Sequence, residues 1–248
     1  MSDWPEKWMD LPLAVLDVET TGLEPEDHRV TEVGIIHFEQ GEVVDEYGQL
    51  VDPQRPIPEE STEITGISQE DVEGKPTFDD IADTVYEQLQ GVGIVAYNLS
   101  FDRSFLEMEL ERCGHSWPDD NPTLDPLIFA RQFFKEQRRK DLGTVCDLLG
   151  IPLEEAHRAT NDARVTGRVL YAFADRLPEN LDDLLMLQAQ WEQQQAQEMA
   201  SWQKQDDSAD SLSDAFGGQT VGLGPAYIYG DENDPLRALY KSVPEAND

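Results

Sequence analysis

LAVLDVETTGL, residues 13–23, joins four apolar residues to two acids, Asp17 and Glu19, and ends in a Thr-Thr-Gly turn. A short apolar run bounded by turn formers reads as a buried strand. In a strand, residues i and i+2 face the same way, so Asp17 and Glu19 stand side by side at its end. Two unpaired anions there repel each other and resist burial, so the arrangement costs stability unless a cation sits between them. The stretch asks for a metal ion.

The whole chain sets the limits. At 248 residues and 39% hydrophobic composition it can bury one substantial core, which favours one domain with an appendage. Asp and Glu number 52 against 18 Lys and Arg, a net charge of −34. Such a surface repels phosphates at long range unless a local basic patch or bound cations overcome it. Salt adaptation and selection for a particular partner both account for the acidity. Cys113 and Cys146 lie in no CxxC arrangement, which disfavours a zinc site or disulfide framework. The N-terminus has no basic segment followed by an apolar one, and no stretch of eighteen apolar residues occurs. A cytoplasmic chain with no membrane association is therefore expected.

Outward from residues 13–23, VTEVGIIHFEQGEVVDEYGQLV (30–51) reads as two more strands around a turn at Gln40-Gly41, making a meander. Residues 52–68 are rich in proline and turn formers. Phe78, Ile81, Val85 and Leu89 predict a helix over 78–90. GVGIVAYN (91–98) reads as a strand feeding a helix that begins near Ser100, carries Asp102 in its first turn and stops at Gly114. Helices over about 125–136, 141–149 and 160–175 complete an α/β pattern of a mixed sheet flanked by helices. Residues 179–205 form a Gln-rich helix, packed on its own domain or free to bind a partner. Residues 206–248 read as an acidic linker and a possible docking tail, whose aromatic end (226–240) either docks or returns to the core as a strand.

Three stretches combine: Asp17 and Glu19 on the first strand, Asp102 in YNLSFDRSFL, and Asp162 in HRATNDARVTGRVL, five residues after His157. Taken singly, Asp102 reads equally as a helix N-terminal charge and His157 as a loop histidine. In this order and these contexts the residues resemble the DEDDh 3′→5′ exonucleases, especially the proofreading epsilon subunit of bacterial DNA polymerase III and its stand-alone relatives. The resemblance covers roughly residues 12–177. It implies a ribonuclease H-like mixed five-stranded sheet with a C-terminal helix and tail. It also implies that Asp17, Glu19, Asp102 and Asp162 hold two divalent ions, Mg2+ or Mn2+, with His157 as general base. The family's tyrosine branch would place Tyr where this chain has Arg158.

Hydrolysis of a phosphodiester needs an activated water, a neutralised phosphate and a stabilised leaving oxyanion, which two metal ions about 4 Å apart supply together. Hard divalent ions prefer carboxylate and water oxygens, matching a site without thiolates. A histidine, with an ordinary pKa of about 6.5, can accept the water's proton. The N-terminus of its helix favours an ionised Asp102.

By resemblance, the Thr20 backbone and the side chains of Thr21 and Leu23 contact the terminal nucleotide, Thr65, Gly66 and Ile67 form its other wall, and Asn98 and Phe101 also line the substrate site. The family often has His at the positions of Thr65 and Tyr97, a departure that bears on the choice of sugar and base. Residues 131–168 hold eight basic and six acidic side chains, a local charge of +2. If the helix continues, Arg131, Lys135 and Arg138 share one face, and with Arg139 would guide a strand. The expectation is a 3′→5′ exonuclease acting on single-stranded or frayed 3′ ends, DNA preferred, in proofreading or repair, with the tail available to a polymerase or clamp. Rival readings are an exoribonuclease and a non-catalytic polymerase- or clamp-binding module.

Overall fold

The computed structural model of the chain describes residues 4–153 and 158–216, with side chains as far as residue 198. His157 and the aromatic segment 226–240 lie outside the described residues.

Strand β1 (Leu13–Thr20) is central. It pairs antiparallel with β2 (Val30–Glu39), which pairs antiparallel with β3 (Glu42–Leu50). On its other side it runs parallel to β4 (Gly93–Val95), and β4 to β5 (Thr123–Leu124), giving the order β3-β2-β1-β4-β5. The expected mixed five-stranded sheet is present. Gln40 and Gly41 both adopt positive φ, 51° and 88°, the backbone of the two-residue turn whose twist suits a hairpin.

Helices cover both faces, which is why LAVL reads as a continuous apolar run rather than an alternating one. α1 (Glu59–Thr65) and α2 (Gln69–Val72) arise inside the proline-rich stretch. Pro58 precedes α1 with φ −59°, Glu59 and Glu60 occupy its positive end, and Gly66 closes it in the left-handed region. α3 (Phe78–Gln88) and α4 (Leu99–Arg112) pack on Ala14, Leu16, Val18 and Ile94. α5 (Pro126–Phe133), α6 (Leu142–Leu149), α7 (Ala159–Ala172) and the start of α8 (Leu181–Phe216) pack on Leu13, Val15, Ile36 and Val95. Asp17 and Glu19 continue the Leu13–Val15 face, so they point towards α7.

Two expectations change. α5 stops at Phe133, because Phe133 and Phe134 turn their rings onto Phe173, with centroids 5.1 and 6.0 Å away, and Arg176 stacks 3.8 Å over Phe133. Lys135 and Arg138 lie beyond it in a turn and a bend, so Arg131, Lys135 and Arg138 share no helical face. α8 runs on to Phe216, and the linker expected from residue 206 begins inside it. No Gly or Pro interrupts 181–216, and Gly217-Gly218 comes directly after.

α8 is bound into the domain by buried amides. Gln188 accepts from the Asp125 N–H at 2.8 Å and donates to the Thr123 carbonyl at 3.0 Å. Gln195 donates to the Ile128 carbonyl at 2.9 Å. Trp191 sets its ring edge-on to Phe129 and Phe133.

Candidate active site

The carboxylates meet where β1 ends. One oxygen each from Asp17, Glu19 and Asp162 falls within 4.8 Å of the others. The β1 pair follows from the i, i+2 rule, and Asp162 arrives because the first turn of α7 lies almost on the sheet. Gly34, directly opposite Asp17 on β2, makes that approach possible. A Cβ there would sit 2.3 Å from the Ala159 carbonyl carbon and 2.4 Å from the Thr160 nitrogen.

Asp102 completes the group from the other face of the sheet. It lies buried in the first turn of α4, where its Oδ1 accepts the Val18 N–H at 3.0 Å, between Asp17 and Glu19 in sequence. It is not one of the three carboxylates that close on one another. The turn before α4 passes through Asn98 in a left-handed conformation (φ 72°, ψ 52°). Asp125 holds it there, accepting the N–H groups of Asn98 and Leu99 at 3.0 and 3.1 Å. Burial lifts the Asp125 carboxyl to about 6, against these N–H donors, which pull it down.

Charge accumulates in a confined space. Burial first, then the Asp102 and Glu19 carboxylates, pushes Asp17 well above the usual carboxylate range. Burial and Asp162 push Glu19 up, with Arg158 acting against them. Burial also raises Asp102, outweighing the backbone N–H groups at its helix N-terminus and at Val18, which pull it down. Four carboxylates and no thiolate suit hard divalent cations, whose charge offsets this repulsion.

A sign follows for stability. Groups whose carboxyls are raised in the native state hold protons that the unfolded chain releases, so native stability is lost as pH rises from the ordinary carboxylate range through the raised values. A divalent cation replaces those protons and must displace them at low pH. Melting curves with EDTA and with excess Mn2+ should therefore differ more at pH 8 than at pH 5.5. An equal difference at both would show that these carboxylates are not where the cation binds.

Around this centre the residues expected to hold substrate divide. Thr20 is buried, its Oγ1 donating to the Gly22 carbonyl and its own carbonyl accepting from Ser61 Oγ, each at 2.6 Å, which ties α1 to the end of β1. Thr21 is 0% exposed and joined to His28 Nδ1 and the Arg29 N–H at 3.2 and 3.1 Å. Its side chain fastens the β1–β2 connection instead of facing a nucleotide. Thr65 and Ile67 are also buried, with Thr65 Oγ1 donating to Ser61 and accepting from Ile67. Gly66 is exposed; Leu23, Asn98 and Phe101 are partly exposed. Arg138 is exposed, and Arg139 forms an ion pair with Asp141 at 3.0 Å. Tyr97 donates to the Lys140 carbonyl at 2.5 Å, anchoring that basic stretch to the end of β4.

Sequence reasoning missed Glu32, Gly34 and Asp125. Glu32 was visible as an acid inside a mainly apolar strand, and Asp125-Pro126 as a helix cap followed by proline.

The RNase_T family model, described as exonuclease, matches residues 14–170. The chain belongs to the exonuclease family. It is 33% identical over 177 residues to the PolC-type DNA polymerase III of Clostridium perfringens, and 37% identical over 164 residues to that of Thermotoga petrophila. Those alignments take in 71% and 66% of the chain but only 12% of either polymerase. In solved structures the same fold appears in exonuclease X in complex with 5′ overhanging duplex DNA. There the TM-score is 0.58 at 22% identity, over 71% of this chain and 99% of that one. It appears too in E. coli exonuclease I in complex with a dA16 oligonucleotide, with TM-score 0.61 at 20% identity, over 69% of this chain and 42% of that one. No described helix is long and apolar enough to cross a membrane.

Proposed function

We propose that this exonuclease removes nucleoside monophosphates from the 3′ ends of single-stranded or frayed DNA, using two Mg2+ or Mn2+ ions. The observation that carries this reading is the convergence of Asp17, Glu19 and Asp162, with Asp102 alongside. When bound at such carboxylates, divalent cations lower the pKa of a water and stabilise the leaving oxygen. Asp17, Glu19 and Asp162 would hold one ion, and Asp17 with Asp102 the other. His157, in the proposed role of general base, would take the proton from the attacking water. Leu23, Gly66, Asn98 and Phe101 offer exposed surface for the terminal nucleotide. Likeness to the PolC-type polymerases supports DNA as substrate and proofreading as the setting, with a polymerase or clamp as partner.

The test offers 5′-labelled DNA and RNA oligonucleotides of one sequence to the full chain with Mg2+ or Mn2+. A ladder shortening from the 3′ end, faster on DNA, is expected. Faster RNA shortening would replace the DNA assignment, and intact strands under every metal would overturn the catalytic reading.

A further inference from the structure

Glu32 is 2% exposed, lies directly across from Glu19 in the β1–β2 register, and stands outside the metal-binding triplet. Its oxygens accept from Arg158, with Nη2 at 2.8 Å and Nε at 3.2 and 3.3 Å, and from the Ala159 N–H at 3.1 Å. Arg158 is the N-cap of α7, four residues before Asp162, so a cation is fixed beside the three carboxylates. Uncompensated, that positive charge would repel a divalent cation bound at the neighbouring carboxylates.

We propose that Glu32 is a positioning residue that engages the Arg158 guanidinium and cancels its charge, leaving Asp17, Glu19 and Asp162 available to divalent cations. The pairing is fork-on-fork, which fixes the direction of the guanidinium as well as its charge. The Ala159 N–H on the same carboxylate ties this arrangement to the start of α7, so the element that brings Asp162 also brings its own neutralised cation. The proposal rests on the metal-site reading above.

Calorimetry of Mn2+ binding to the full chain separates the charge effect from a structural one, with melting curves in EDTA as the check on folding. Glu32→Gln keeps the size and an oxygen for the Ala159 N–H but removes the charge, and should weaken Mn2+ binding roughly tenfold or more. Arg158→Gln removes the opposing cation and should bind Mn2+ at least as tightly as the wild type. The double variant should return to within about threefold of wild type by the same cancellation. Unchanged affinity in Glu32→Gln, or a double variant as weak as that single one, overturns the proposal. So does weakened binding in Arg158→Gln, which decides the matter even if Glu32→Gln does not fold. A wild-type chain that binds no Mn2+ would instead overturn the metal-site reading.

Discussion

Asp17→Asn will lower the rate of phosphodiester hydrolysis by about 10³-fold or more while making the protein more heat-stable in EDTA. The loss in rate follows from removing the carboxylate shared by both proposed ions, since activating water and stabilising the leaving oxygen each contribute several kcal/mol. The gain in stability follows from the energetics of the native state. Burial and the neighbouring Asp102 and Glu19 charges raise the Asp17 carboxyl, so its ionised form costs native stability at neutral pH. A neutral amide of the same shape removes that cost. In excess Mn2+ the order should reverse, with the wild type melting higher, because only it gains the full binding energy of the cation. Hydrolysis within tenfold of wild type would mean that Asp17 does not carry the reaction, and lower stability in EDTA would mean that the repulsion is already relieved by protein groups.

Gly34→Ala should be among the most damaging single methyl additions to this fold. The added carbon would lie 2.3–2.5 Å from three backbone atoms of Ala159 and Thr160, none of which can rotate away. α7 must therefore lift off β2, at a cost of about 1–3 kcal/mol or more, and Asp162 moves with it. Its cross-strand partner supplies the comparison. A methyl at Gly48 meets the Thr160 Cγ2 at 2.4 Å, and the next atom is 3.8 Å away. One threonine rotamer relieves that contact. Urea unfolding should place Gly34→Ala well below Gly48→Ala, and the Mn2+ affinity of Gly34→Ala should fall with it. Equal midpoints for the two would show that α7 is not seated on Gly34 as described.

The parts of this fold written in local pattern could be read from the sequence. LAVL, the Gln40-Gly41 turn and the spacing of Phe78, Ile81 and Val85 each name their element without tertiary help, and the i, i+2 rule placed Asp17 beside Glu19. Asp162 and Asp102 were found by family resemblance, since nothing local to either says that it meets the first strand. The early end of α5 has a physical cause: Phe133 and Phe134 meet Phe173, about forty residues further on. Contacts at such separation leave no periodic trace. Glu32 and Asp125 escaped notice because an acid in a strand or at a helix cap has an ordinary explanation until its partners are known.

The buried amides of Gln188 and Gln195 bear on how the tail can be dissected. A chain cut at the end of the family match, near residue 170, would lose Trp191 from Phe129 and Phe133 and remove the Gln188 and Gln195 amides from the Asp125 N–H and the Thr123 and Ile128 carbonyls. It would expose aromatic surface and aggregate, whatever the tail does. Deletions meant to ask what residues 206–248 recruit should therefore keep the chain intact through residue 198, so that lost partnership is not confused with lost solubility.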